Sequence, residues 1–251
     1  MIRWLKIMAL YVWWPFRKGP SKPLFIFAHP RSGSSLLMHI LADHPQIAGF
    51  GEYFTQYQKP IDYRLAEFDI RRKSGTLFTS VEYIANQVNH HSVTPNMDLL
   101  VEQACCIFLF REAGPTLSSM LELSDAKGMP MSQLAVAKNY MVRLQDMSKL
   151  APCLDSNNKF ALTYKDLISS PDYTLNLLQG FLGLKSPLKP RYAKQKFTGR
   201  WGDPSKNIHK GEIIETRSPQ RVIEPEILQA SLKEFRHTCS FFQIAPEHAN
   251  A

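Results

Sequence analysis

The residues best suited to chemistry are His29-Pro30-Arg31-Ser32-Gly33-Ser34-Ser35. One turn holds a fixed positive charge, three hydroxyls and a glycine. Gly33 permits backbone angles that a side chain would forbid. Ser34 and Ser35 fall where a starting helix leaves unpaired N–H groups. Converging amides, the positive end of a helix dipole and hydroxyls make an anion cradle, and Arg31 adds charge to it. The expected guest is a phosphate or sulfate ester. Strand–turn–helix units with Ser and Gly are common, however, and many bind nothing. The G-x-x-x-x-G-K-[ST] loop of nucleoside triphosphatases is absent, and so is the dinucleotide pattern G-x-G-x-x-G.

A second candidate is Arg111, at the end of the apolar run Cys105–Phe110, with Ser119 eight positions later. Gly114-Pro115-Thr116 starts a helix between them. An arginine at a strand tip and a serine on the following helix can hold one phosphate from two sides.

Pro30-Arg-Ser-Gly-Ser-Ser-Leu-Leu37, followed by Leu41-Ala-Asp-His-Pro45, resembles the 5′-phosphosulfate loop of sulfotransferases that use PAPS (3′-phosphoadenosine 5′-phosphosulfate). The branch with arginine in the loop, as in tyrosylprotein and many bacterial and carbohydrate enzymes, is the most similar. The resemblance implies that Arg31, Ser32, Gly33, Ser34 and Ser35 hold the 5′ end, and that Arg111 and Ser119 hold the 3′-phosphate. It also implies that Glu52, of the pair Gly51-Glu52, is the catalytic base; composition alone makes Glu52 a solvated surface residue. His29, which abuts the loop, is the rival base. The run Tyr164-Lys-Asp-Leu-Ile-Ser-Ser-Pro-Asp172 is similar to a family segment whose tyrosine approaches the adenosine, a role that falls to Tyr164. In the loop Thr198–Glu212, similar to one that folds over the nucleotide, Trp201 would stack on adenine, and Lys206 or Lys210 would reach a phosphate. No metal is implied. Two positions depart from the family: Glu112 stands where Asp is usual, and Leu123 where the tyrosylprotein enzymes have a basic residue.

Those residues need elements to place them. Leu24–Ala28 reads as a buried strand, and Leu36, Leu37, Ile40 and Leu41 recur at helical spacing. Ile47–Phe50 predicts a short strand and 60–74 a helix. Val81–Val88 predicts another helix. Cys105–Phe110 and Phe160–Tyr164 predict strands. Met131–Leu150 predicts an amphipathic helix with Leu134, Ala137, Met141, Leu144, Met147 and Leu150 on its core face. Helices are also expected over 170–182, closed by Gly183, and over 225–242. The expected fold is α/β: a P-loop-like three-layer fold with a central, mainly parallel sheet flanked by helices. Residues 1–22 read as an apolar, basic segment and linker, and 23–251 as one domain.

A net charge of +8 suits an anionic partner. No zinc finger, RNA-binding aromatic signature or long basic helix is present, so nucleic acid is not expected. The expected partners are the nucleotide donor and a hydroxyl-bearing acceptor: glycan, lipid, peptide or small alcohol. Cys105, Cys106, Cys153 and Cys239 lack metal-ligand spacing and suit a reducing, cytoplasmic setting, although a Cys153–Cys239 bridge stays open. The apolar stretch before Phe16 is too short to span a bilayer, which needs ~20 residues. Trp4, Trp13 and Trp14 with Arg3, Lys6, Arg17 and Lys18 suit either a helix at a membrane interface or one packed on the domain. A kinase-like nucleotide-binding protein would need a loop lysine and a Mg²⁺-holding Asp, and neither is placed. A phosphate-binding protein without turnover is the other alternative.

Overall fold

Alternate residues of strand β1 (Lys22–Ala28) feed two separate cores. Leu24, Ile26 and Ala28 belong to one, and Phe25 and Phe27 to the other. A strand buried on both faces needs neighbours at both edges and cover on both sides. The computed structural model, which describes residues 2–90, 95–199, 206–214 and 221–244, supplies both. The other strands are β2 (Ile47–Gly49), β3 (Tyr83–Val88), β4 (Cys105–Phe110) and β5 (Lys159–Thr163). They lie in the order β2-β3-β1-β4-β5, and every neighbouring pair is parallel. All carboxyl ends therefore emerge along one edge, and the chain leaves β1 and β4 towards opposite sides of the sheet. That crevice is where open parallel sheets bind ligands.

In chain order the helices are α1 (Ile2–Trp13), α2 (Ser34–Ala42), α3 (Pro60–Ser74), α4 (Met97–Gln103), α5 (Ala113–Ala126), α6 (Gln133–Leu150), α7 (Tyr164–Ser169), α8 (Pro171–Leu182) and α9 (Pro225–Phe241). Helices α2 and α8 pack on Leu24, Ile26 and their neighbours Ile107 and Leu109. Helices α5, α6 and α9 cover Phe25, Phe27, Phe108 and Phe110 on the opposite face. The α/β expectation holds, with a sheet that is wholly parallel.

Two local expectations need correction. The expected helix Val81–Val88 is absent, and Tyr83–Val88 forms strand β3. Its apolar residues Val81, Ile84, Ala85 and Val88 fall at helical intervals only because a strand buried on both faces has no reason to alternate. The polar Asn86 in this strand is buried and bonds the Tyr53 backbone and the Tyr57 hydroxyl. In α6 the core face runs through Val136, Ala137, Tyr140, Arg143, Leu144 and Met147, while Leu134 is exposed. All four cysteines are free; Cys153 is exposed and Cys239 buried.

Helix α1 packs on α3 through Leu10 and Trp13, which meet Leu65 and Phe68. Trp13 Nε1 donates to the Leu77 carbonyl at 2.9 Å, and Lys6 pairs with the buried Asp69. No helix among the described residues is long and apolar enough to cross a membrane.

Candidate active site

The loop after β1 begins with a histidine that has no exposed surface. His29 Nδ1 lies 3.0 Å from the Pro30 carbonyl, which can only accept, so Nδ1 carries the proton. Nε2 accepts the Arg111 backbone N–H at 3.0 Å. Both nitrogens are thus spent on the backbone, and the ring is neutral. Burial, with the charges of Arg111 and Arg143, pulls its pKa down to about 4. His29 has no lone pair for an acceptor proton, and the structure gives it a positioning role.

Next, Arg31 adopts φ 68° and Gly33 φ 94°. An arginine in the left-handed region stores strain, which proteins tolerate mainly where geometry serves a site. Gly33 is the N-cap of α2, and no side chain caps that helix end. The first amides of α2 are therefore donors without a side-chain partner, flanked by the buried Ser34 and Ser35. The Ser32 hydroxyl is buried and has no hydrogen-bond partner among the described residues. Glycine is required at 33 for a second reason: a Cβ there would stand 2.4 Å from the Tyr164 ring.

Tyr164 is held by the start of α7. Thr163 and Asp166 form a reciprocal capping box that fixes how the chain leaves β5. The Tyr164 ring contacts Gly33 on the loop and also lies 4.5 Å under the Arg111 guanidinium. Arg111 Nη1 donates to the Arg31 carbonyl at 3.0 Å, and Arg31 Nε donates to Ser119 Oγ at 2.9 Å. The two anion grips read in the sequence are therefore adjacent at the tips of β1 and β4, with the tyrosine of β5 between them. The Tyr140 hydroxyl fixes Arg111 from beneath by donating to its carbonyl at 2.8 Å, and the Tyr140 ring meets His29 edge-on at 4.8 Å.

Glu52 follows β2 at the same edge. Its carboxylate is 11% exposed and stands 3.8 Å from His90 Nε2. Burial pushes its pKa up, against hydrogen bonds from the Asn89 side chain and backbone and the charge of Arg143. Arg143 is the residue that sequence reasoning missed. It is buried in α6, and its guanidinium donates to the carbonyls of Ala28 and Val88, the last residues of β1 and β3. It acts electrostatically on His29 and Glu52 together. Its own pKa falls to about 10 through burial, opposed by Asp146 and Glu52. The available signal was a charged residue inside the apolar stripe of a core helix. Asn89 directly follows β3, whose helical spacing hides both the strand and this residue at its tip.

Lys210 is exposed at the end of the short helical turn Lys206–Lys210, whose Ile208 joins the core beside α2. Trp201 lies outside the described residues. His39 bonds the Ser35 carbonyl and Thr198 Oγ1, and His44 bonds Ser186, so both have structural partners. Among the described residues no group of three His, Cys, Asp or Glu side chains could hold a metal ion.

Comparison with known proteins bears on the family and the fold. Residues 23–82, from β1 to the residue before β3, match the sulfotransferase family. The fold is similar to the sulfotransferase domain of the Synechococcus olefin synthase, with a TM-score of 0.57 at 17% identity over 86% of this chain and 95% of that one. The sulfotransferase domain of the curacin biosynthetic pathway gives a TM-score of 0.57 at 14% identity over 86% and 98%. A mouse sulfotransferase complexed with PAP gives 0.51 at 12% identity over 90% and 86%. At such identities the likeness is one of fold. No curated protein sequence matches the chain.

Two predictions follow from the packing of this loop. Gly33→Ala should lower the free energy of unfolding by more than ~1 kcal/mol, from the left-handed backbone and the Tyr164 clash together. Tyr164→Ala in the same chain should restore part of that loss, a non-additivity that denaturant titration of both single variants and the double variant measures. The second concerns His29, whose folded pKa lies below its unfolded ~6.5. The unfolded chain then binds the extra proton, so this residue's contribution is full above ~6.5 and is lost as pH falls towards about 4. Its share is about 3 kcal/mol at most, and urea titrations across that window should show a shallower pH slope in His29→Gln.

Proposed function

We propose that the chain is a sulfotransferase, as the family match of residues 23–82 and the likeness of fold support, with the following donor and residue roles. The chain moves a sulfuryl group from PAPS to a hydroxyl or amine of an acceptor. Arg31, Ser32, Gly33, Ser34 and Ser35 take the 5′-phosphosulfate. Arg111 and Ser119 take the 3′-phosphate, and Tyr164 takes the adenosine; the resemblance adds Trp201 and Lys210 as further donor contacts. One observation carries this reading. Arg31, Arg111 and Tyr164 come from three strand tips and Ser119 from α5, yet they form one connected group through Nε–Oγ and Nη1–carbonyl bonds of 2.9 and 3.0 Å. A nucleotide phosphorylated at both ends suits two adjoining cationic grips with an aromatic ring between them.

Sulfuryl transfer asks a protein to align donor and acceptor and to stabilise charge. Glu52 accepts the proton of the acceptor O–H or N–H as the new bond to sulfur forms. The old bond breaks at the bridging oxygen of the 5′-phosphate, which leaves with the electron pair. Arg31 and the amides of α2 stabilise that developing charge. Glu52 suits the base role because burial has raised its pKa while Asn89 holds its carboxylate in place. His29 does not suit it, since neither of its nitrogens can receive a proton from an acceptor. A PAP-binding protein without turnover would share the grips but would not need Glu52.

Calorimetric titration with PAP, the desulfonated product, tests the grips. A hydrogen bond to a charged group contributes ~1.5–3 kcal/mol, so Arg111→Ala should weaken PAP binding by about 10- to 150-fold. Ser119→Ala should weaken it by a smaller factor. Unchanged affinity in both variants would remove the nucleotide assignment. Glu52→Gln should bind PAP as the wild type does but slow single-turnover transfer from PAPS by ~10²–10⁴-fold. Only the carboxylate accepts a proton, so the wild-type rate should rise with pH through a limb above the ordinary glutamate value of ~4.3. That limb should vanish in Glu52→Gln; a persisting limb would point to a different base.

A further inference from the structure

Helix α1 is amphipathic in the wrong direction for a helix that faces water. A surface helix turns its charges outward and its apolar stripe inward. Here Lys6 turns inward to the buried Asp69, with Leu10 and Trp13 beside it. The outward face is Trp4, Leu5, Met8, Tyr11 and Val12, continued by Phe16, and these residues are 48–69% exposed. Their spacing puts them on one contiguous stripe, a patch of the kind that marks an interaction surface. The helix is not a loose tail: the Trp13–Leu77 bond, the Lys6–Asp69 pair and the Arg17–Glu67 pair hold it rigidly on α3.

We propose that this face docks the protein in the plane of an anionic lipid bilayer. Charge selects that occupant. Residues 1–22 include Arg3, Lys18 and Lys22 besides Lys6 and Arg17, which pair with Asp69 and Glu67, and contain no acidic residue. Just past the stripe, Arg17 and Arg64 both lie over the Trp14 ring, at 4.1 and 5.0 Å, which sets two cations beside an aromatic at the helix end. An anionic headgroup layer complements such a rim, and Trp, Tyr and Phe are the side chains that partition into the interface. Pairing with a second copy would bring the same cationic rims together, which disfavours a dimer through this face. The helix lies in the plane because it is too short to cross.

The test is flotation of the full chain with vesicles of phosphatidylcholine alone and with about one-third phosphatidylglycerol. The expected result is binding to the anionic vesicles, weakened by salt, and quenching of tryptophan emission by brominated lipid. Met8→Glu with Val12→Glu should weaken binding at least ~10-fold, with the thermal midpoint unchanged because neither side chain packs inside. Lys18→Glu should reduce the preference for anionic lipid. Absence of binding to both vesicles, or absence of quenching in the wild-type chain, would overturn the proposal. So would equal, salt-insensitive binding to neutral vesicles. A dimer that Met8→Glu with Val12→Glu dissolves, without vesicle binding, would assign the face to a second copy and likewise overturn it.

Discussion

One hydrogen bond, from the Arg111 backbone amide to the His29 imidazole, ties the two strand tips that carry the candidate site. It spans 82 residues of sequence and closes the gap that two diverging parallel strands would leave beyond their last ladder bonds. The imidazole can take this bond only while neutral, and its burial keeps it so. Tyr140 braces the same place, donating to the carbonyl of Arg111 and packing its ring against His29. The candidate grip residues thus rest on a backbone set by core side chains.

Arg143 extends that support towards Glu52. Carbonyls at the ends of β1 and β3 point where no further strand can receive them, and a buried polar group without a partner is costly. One guanidinium satisfies both. The charge thereby introduced lowers the pKa of His29 and opposes the rise at Glu52. A single buried cation from α6 thus acts on both groups, in addition to the burial that dominates at each.

The legible parts of the sequence were those whose signal is local. β1, β4 and β5 were plain as short apolar runs, and the turn after β1 as a cluster of small residues and one cation. Arg111 and Ser119 were legible because a strand tip and the next helix are near in sequence as well as in space. β3 was not legible, because burial on both faces erases the alternation that marks a strand and left intervals of three and four. Asn89 disappeared with it. Arg143 was hidden for another reason: its partners are carbonyls, which every sequence supplies and none advertises. Leu134 was placed on the core because a regular stripe does not reveal where the packing of a helix stops.

The left-handed backbone of Arg31 makes position 31 answer to two separate demands. A replacement there must suit the loop's charge, and it must also tolerate a torsion that β-branched residues avoid and that Gly, Asn and Asp accept. A scan of this position would therefore sort substitutions along two axes. Comparing Arg31→Gly with Arg31→Val, both without charge, would isolate the conformational share, and what Arg31→Gly still lacks would measure the guanidinium alone.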